Sequence, residues 1–468
     1  MTPVILAPTI LREYDIRGVV GTHLNESAAH AIGRAFGTVL ARRGGKTVCL
    51  GYDGRVSSPG FAAAAADGLS AAGLTVWRVG RGPTPMLYFS VFQFGADGGL
   101  MVTGSHNPPD QNGFKMTLGP ALGAMPLFGG EIQALGELVR KSDYASGKGA
   151  ISERPAFADY IAQLVAEAGS GGKKLTVVWD AGNGAAGEAM LALTRKLPGR
   201  HVALFAEIDG RFPNHHPDPT VAANLADLQA AVRKEKADFG VAFDGDGDRI
   251  GLVDGRSRIL WADQLMVLFA RDVLAARPGN PVIADVKASQ VLFDEIAKAG
   301  GKPVMYKTGH SLIKAKMKEL KAPLAGEMSG HIFFADRNKG YDDGLYAAVR
   351  LVRIMSRADF SFADFLDRLP PVVNTPELRF AVPAERKWAI IDEVKGRLAA
   401  AKAEIDGIDG VRVKTRDGWW LLRASNTQDV LVARCEAADA AGLARLKAQL
   451  QHELAASGLA LPADAAGH

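Results

Sequence analysis

Short runs of apolar and β-branched residues alternate along the chain with longer stretches whose apolar positions recur at helical spacing, and the alternation repeats three times. In the first repeat, a strand over 47–52 leads through Asp53-Gly54-Arg55 into an alanine-rich helix over 60–72. A strand over 74–79, a short helix after Thr84-Pro85-Met86 and a third strand over 98–103 follow. The order returns as strands over 175–179, 202–208 and 239–243 with helices over 184–195 and 225–235. It returns again as strands over 282–286, 304–307 and 322–325 with helices over 290–299 and 311–320.

Strands alternating with helices predict mostly parallel sheets covered by helices on both faces, with ligands gathered beyond the carboxyl ends of the strands. Each repeat runs from its third strand into its most polar, glycine-rich loop: 104–108, 244–248 and 326–331. Three units could therefore aim one loop each at a shared cleft. The last hundred residues differ, with a strand over 377–382, a helix over 385–403, close strands over 411–415, 419–424 and 430–435, and a final helix over 443–454. The expected fold is three repeated α/β domains with mixed, mostly parallel sheets plus a smaller α+β domain, with boundaries 1–150, 151–254, 255–368 and 369–468. Leu369-Pro370-Pro371 marks the last boundary.

Composition narrows the class. A chain of 468 residues is too long for one ordinary domain, and 47% hydrophobic with 23% charged residues excludes a disordered or fibrous protein. Lys+Arg 55 against Asp+Glu 51 leaves +4, too little to predict a nucleic-acid or anionic-membrane partner. No apolar run approaches the roughly 18 residues of a membrane span, and the first eleven residues lack the basic start and cleavage site of a signal peptide. Two cysteines, Cys49 and Cys435, cannot build a disulfide framework, which fits a reducing cytoplasm.

The loops carry the candidate chemistry. Asp244, Asp246 and Asp248 alternate with glycines, so three carboxylates can converge on a hard cation such as Mg²⁺. Arg249 and Gly255 stand where a calcium EF-hand needs glycine and glutamate, and a solvated acidic turn is the remaining alternative. Ser105, between Gly104 and His106 and followed by Asn107-Pro108-Pro109, predicts a rigid turn with an exposed hydroxyl able to accept a phosphoryl group. Asparagine at 107 excludes the G-x-S-x-G hydrolase elbow, and a plain turn is the competing reading. A phosphate on Ser105 would be repelled by the three aspartates unless a divalent cation lay between them, so the two loops make sense together. Lys115, Arg249, Lys287 and Arg17 are candidates for further charge neutralisation, against the reading that each is a surface charge. Glu327 and Ser329 suit adjacent sugar hydroxyls, and His331 suits proton transfer. Arg423, Ser425, Asn426 and Thr427 suit a phosphate dianion. Local salt bridges and a hairpin turn are the alternatives for these two loops.

Together T-G-S-H-N-P at 103–108, D-G-D-G-D-R at 244–249, G-E-M-S-G-H at 326–331 and R-A-S-N-T at 423–427 closely resemble the α-D-phosphohexomutase superfamily. Y-D-I-R-G at 14–18, N-G-F-K at 112–115 and K-T-G-H-S at 307–311 extend the resemblance over nearly the whole chain. Gly104 and Met328 are similar to the bacterial phosphomannomutase/phosphoglucomutase branch rather than the phosphoglucosamine branch. The resemblance implies four domains around one cleft, Ser105 carrying the transferable phosphate, and Mg²⁺ held by Asp244, Asp246 and Asp248 with the phosphate of Ser105. It also implies sugar binding by Glu327 and Ser329, a fixed phosphate at Arg423, Ser425, Asn426 and Thr427, and a cleft lined by Tyr14, Arg17, His106, Lys115, Arg249, Lys287, His310 and His331. The reaction implied is reversible transfer between the 1- and 6-positions of mannose and glucose phosphates. It passes through a hexose 1,6-bisphosphate, which also serves as activator and turns over while a hinge at 369–372 opens. Phosphosugars are the expected partners, a monomer the expected state, with a dimer as the other possibility. A phosphoglucosamine mutase, a metal-dependent sugar phosphatase and a non-catalytic calcium- or sugar-binding protein are the alternatives.

Overall fold

The computed structural model describes residues 4–169, 171–426 and 428–461. Three of its four sheets share one strand order. Side by side lie Gln111–Leu118, Gly98–Val102, Thr47–Tyr52 and Thr75–Arg81 in the first, and Ile250–Asp254, Phe239–Phe243, Leu175–Asp180 and Gly199–Leu204 in the second. The third repeats the order with Ile332–Phe334, Leu324–Gly326, Pro281–Asp285 and Lys302–Tyr306. Within each quartet the last three strands are parallel, and the leading strand is antiparallel to its neighbour. The fourth sheet is antiparallel throughout, with Val430–Ala437 paired to Gly418–Ala424 and Leu378–Ala381. Mixed, mostly parallel sheets plus a smaller α+β unit are the architecture expected.

The leading antiparallel strands are new relative to the sequence reading, and they decide where the chemistry sits. Each polar loop is a connection that reverses direction between a fully buried parallel strand and the antiparallel strand beside it. Its ends are therefore fixed by ladder hydrogen bonds at the carboxyl edge of the sheet. Other departures are local. The strand expected over 202–208 lies at Gly199–Leu204, because Phe205 takes φ 48 and ends the extension. The helix expected from 184 starts at Gly187, after Gly182 and Asn183 turn with φ 52 and 60.

The largest apolar core runs through the first three units rather than dividing among them. The helix Gly344–Arg357 follows the third sheet in sequence but packs on the helix Phe157–Ala168 and on the strands Leu175–Asp180, Phe239–Phe243 and Ile250–Asp254 of the second. The fourth unit has its own core around Trp420, Leu422, Val394 and Leu446. Its seam with the third joins an apolar cluster of Val286, Trp419 and Leu421 to a set of hydrogen bonds: Arg412 donates to the carbonyls of Val286 and Ala288 at 2.8 and 3.0 Å, and Arg434 to that of Lys287 at 2.6 Å. Among the described residues no helix is long and apolar enough to cross a membrane.

Candidate active site

Ser105 begins the first loop in the left-handed region, φ 48, and its amide donates to Thr103 Oγ1 at 2.9 Å. Its Oγ donates to Asp244 Oδ2 at 2.8 Å and lies 3.2 Å from His106 Nδ1. The exposed hydroxyl expected from the sequence is corrected here, since Ser105 is only 1% exposed. The second loop covers it: a Cβ on Gly245 would stand 2.2 Å from the Ser105 carbonyl oxygen, so only glycine lets the two loops touch.

A buried arginine that the sequence reading passed over as part of a turn shapes the serine loop. Arg55 donates to four of its carbonyls, Ser105 at 2.8 Å, Asn107 at 2.5 Å, Pro108 at 2.6 Å and Gln111 at 2.8 Å. Asp53 completes the clamp by accepting from the Gly104 and Arg55 amides at 3.1 and 3.0 Å. Five charge-assisted bonds onto one loop hold a serine in a conformation it rarely adopts alone. The D-G-R turn after a strand was the signal available, but nothing local says that its guanidinium reaches residues fifty positions on.

All three loop aspartates are fully buried, and an oxygen from each lies within 4.8 Å of one from the others. Asp244 Oδ1 accepts from the amides of Asp248 and Arg249 at 3.1 and 3.2 Å. Lys115, carried in by the strand Gln111–Leu118, donates to Asp246 at 2.7 Å and also to Asp248. Burial, Asp248 and Asp246 raise the Asp244 carboxyl well above the usual range, whereas Lys115 and His331 overcome burial and hold Asp248 well below it. Asp246 Oδ1 is buried without a hydrogen-bond donor, and Asp248 Oδ1 has only the long contact of 3.4 Å from His331 Nε2. Carboxylate oxygens left bare or nearly so within a tight hard-donor set fit a divalent cation such as Mg²⁺.

The third loop faces the second. Arg249 and His331 form an isolated antiparallel bridge, and the Ile250 amide donates to the Gly330 carbonyl at 3.0 Å. His331 Nδ1 lies 2.8 Å from Ser329 Oγ and 3.3 Å from Glu327, while Nε2 lies 3.4 Å from Asp248 and 3.2 Å from Arg249 Nε. Burial and Arg249 push its pKa down, but Asp248 and Glu327 prevail and raise it to about 9. His106 and His310 go the other way, well below the usual value: burial leads in both, with Arg249 and Arg17 adding for His106 and Lys314 and His331 for His310.

The fourth unit's loop closes the circle. Arg423 Nε donates to Asp409 at 2.9 Å, and Asp409 also accepts from the Thr308 amide at 3.0 Å. Asn426 donates to the Tyr14 hydroxyl at 2.7 Å, which itself donates to the Thr308 carbonyl at 2.9 Å. One chain of hydrogen bonds thus ties the first, third and fourth units. Glu327 Oε1 accepts from the Gly309 amide at 2.6 Å, and a Cβ on Gly309 would stand 2.3 Å from the Tyr14 hydroxyl oxygen. Lys287 pairs with Glu377 at 2.9 Å, and Arg17 with Asp15 at 2.8 Å and the Gly104 carbonyl. Ser425 closes its turn by accepting from the Gln428 amide at 3.2 Å. Thr427 lies outside the described residues. The other residues singled out from sequence are brought to the four facing loops and the strands and helix ends beside them. Asp53, Arg55, Thr84, which donates to Asp246 at 2.5 Å, and Asp409 join them without having been foreseen.

Comparison with known proteins bears on this arrangement. Family models described as phosphoglucomutase/phosphomannomutase alpha/beta/alpha domains I, II and III match residues 8–135, 155–257 and 261–373, and the C-terminal domain of the same description matches 377–453. The chain is 44% identical to the phosphomannomutase/phosphoglucomutase of Pseudomonas aeruginosa, over 98% of both chains. It is 43% identical to the phosphoglucomutase of Neisseria gonorrhoeae, over 94% of this chain and 95% of that one. A crystal structure of a phosphoglucomutase/phosphomannomutase family protein from Burkholderia thailandensis superposes with a TM-score of 0.91 at 42% identity, covering 98% of this chain and 100% of that one.

Proposed function

Because the chain belongs to the phosphoglucomutase/phosphomannomutase family, we propose that it is a phosphohexomutase, an isomerase that moves a phosphoryl group between the 1- and 6-positions of mannose and glucose phosphates. The observation that carries the reading is Ser105 Oγ, 2.8 Å from one of three converging, buried carboxylates. In the forward direction the 6-hydroxyl of a hexose 1-phosphate attacks phosphorus on phospho-Ser105. The bond to Oγ breaks, and the hydroxyl proton leaves as a hexose 1,6-bisphosphate forms. After the bisphosphate turns over, Oγ attacks phosphorus of the 1-phosphate, the bond to the sugar O1 breaks as O1 takes up the proton that Oγ gives up, and hexose 6-phosphate departs with Ser105 phosphorylated again.

The chain's own groups divide the work. Arg55 and Asp53 aim Ser105, and Lys115, Arg249 and Arg17 spread the charge of the transferring group. His331, which Asp248 and Glu327 keep charged near neutral pH and whose Nδ1 is anchored by Ser329 and Glu327, acts as the proton-donating partner of the reacting sugar oxygen rather than as its base. Glu327 and Ser329 hold sugar hydroxyls; Arg423, Ser425, Asn426 and Thr427, helped by Lys287, Tyr14 and His310, hold the phosphate that is not reacting. Asp244, Asp246 and Asp248 would hold Mg²⁺ together with the phosphoserine, and the ion would supply positive charge against the phosphate that the carboxylates otherwise repel. Four units, 1–150, 151–254, 255–368 and 369–468, supply one loop each, so one chain suffices. Opening of the fourth at 369–372 lets the bisphosphate turn. A cytoplasmic location fits two free, buried thiols, Cys49 and Cys435.

The test is conversion of mannose 1-phosphate and glucose 1-phosphate, with Mg²⁺ and catalytic glucose 1,6-bisphosphate, by wild type and Ser105→Ala. Turnover of both sugars, falling by orders of magnitude in the variant, is expected. Release of inorganic phosphate at the turnover rate would instead indicate a phosphatase, and turnover only of glucosamine phosphates the aminosugar mutase.

A further inference from the structure

Behind the cleft, between the first and third units, lies a cavity of about 450 Å³. Its two helical walls both begin at the candidate active site. The helix Thr84–Gln93 starts with the Thr84 that bonds Asp246, and the helix His310–Leu320 starts with the His310 whose ring lies 5.4 Å from that of His331. Val91 and Phe92 on the first helix and Met317 and Lys318 on the second line the cavity, about 10 Å farther along each axis at 1.5 Å per residue. Tyr88 and Lys314, one turn from those starts, line it too, and Lys314 pairs with Asp342, which lies within 4.8 Å of Asp248 and His331, so the cavity adjoins the cleft and shares its scaffold.

Its chemistry has two halves. One is aromatic: Tyr341 lies 5.8 Å from Tyr88 and 6.0 Å from Phe92, ring centre to ring centre. The other is cationic, with Arg277, Lys314, Lys318, Lys321 and Lys339 on the wall and no carboxylate or carboxamide side chain among the lining residues. Lys314 is paired with Asp342 at 2.9 Å. Arg277 and Lys318 reach only backbone carbonyls, of Asp336 and Gly123, and Lys321 and Lys339 pair with no carboxylate among the described residues. Helix C-termini account for Lys318, in the last turn of His310–Leu320, for Lys321, its C-cap, and for Arg277, the C-cap of the helix Ala262–Ala276, but not for Lys339. A free sugar would need hydroxyl acceptors of the kind Glu327 supplies in the cleft, and here Thr117 and the two tyrosines are the only side-chain acceptors. A planar ring joined to a short polyanion matches both halves.

We infer that this cavity is a second binding site, for a nucleoside diphosphate, with the base against Tyr88, Phe92 and Tyr341 and the diphosphate on Arg277, Lys318, Lys321 and Lys339. Its binding chemistry does not rest on the mutase reading. If that reading holds, the site places the protein beside a nucleotidyl transfer, the class of reaction that consumes a sugar 1-phosphate and yields a nucleoside diphosphate sugar.

Calorimetric titration of guanosine diphosphate tests the inference on wild type, on Lys321→Glu/Lys339→Glu and its milder glutamine counterpart, and on Arg423→Ala in the cleft. The expected result is one site whose affinity falls at least about tenfold in the glutamate variant, less in the glutamine variant, and stays unchanged in Arg423→Ala. Inorganic pyrophosphate, lacking the base, is expected to bind at least about tenfold more weakly than the nucleotide. No binding at millimolar nucleotide, loss in Arg423→Ala instead of the cavity variants, or equal affinity for pyrophosphate would overturn the inference. Failure of the mutase reading would show separately, as wild type that converts no hexose phosphate while the nucleotide titration is unaffected.

Discussion

The ammonium of Lys115 lies 2.7 Å from Asp246 and donates to Asp248 as well, so a cation carried by the first sheet is buried between two carboxylates of the second. Removing one member of a buried ion cluster leaves uncompensated charge, worth about 3–5 kcal/mol. Lys115→Met is therefore expected to unfold markedly earlier in EDTA and to recover much of the loss in Mg²⁺, which can neutralise the same carboxylates. Thermal unfolding in the two buffers is the measurement; an equal loss in both would separate Lys115 from the acidic cluster.

Arg55 predicts a different signature. Lysine keeps the charge at that position but cannot span the four carbonyls that the guanidinium reaches. Arg55→Lys is expected to lower kcat by about tenfold or more, about 1.4 kcal/mol or greater, with little change in KM, because it loosens the nucleophile and leaves the sugar loops intact. Steady-state kinetics, with the phosphorylation of Ser105 followed by mass spectrometry, separates this from simple unfolding.

Tyr14 ties three units through one hydroxyl, accepting from Asn426 and donating to Thr308. Tyr14→Phe removes both bonds and keeps the ring, 5.5 Å from that of His310. Two hydrogen bonds at about 1 kcal/mol each predict a several-fold to roughly thirtyfold rise in KM. An unchanged KM would show that closure of the fourth unit does not pass through this residue.

Stability should depend on pH through Asp343. Burial raises its carboxyl from 3.8 to about 7, against the bonds from the Tyr346 amide at 2.8 Å and the Tyr160 hydroxyl at 3.0 Å. A raised folded-state value means that its contribution is fully present below pH 3.8 and is lost as pH rises through about 7. In Asp343→Asn the side-chain amide oxygen can accept both bonds without titrating. The variant should thus gain on wild type between pH 4 and pH 8, by up to about 4 kcal/mol. Urea midpoints across that range test the sign.

The sequence exposed the chemistry where it is written locally. Asp244, Asp246 and Asp248 announce themselves by their glycine spacing, and Ser105 by the prolines that follow it. What it hid is non-local. The role of Arg55 depends on a loop that arrives after two more strands, and the buried state of Ser105 depends on Gly245 in another unit. The strand Gln111–Leu118 opens with Gln111, Asn112 and Gly113, a polar start that reads as loop until the buried neighbour Gly98–Val102 is beside it. Ile332–Phe334 is only three residues long, too short for a period.

The helix Gly344–Arg357 covers a sheet that its own sequence neighbourhood did not build. During synthesis the second sheet therefore waits for about a hundred further residues before its apolar face is covered, and a chain released near residue 257 would present that face to other proteins. The first three units share one interior, so shuffling any one of them alone would strand part of it. The fourth, with a core of its own, is the segment that gene fusion could exchange.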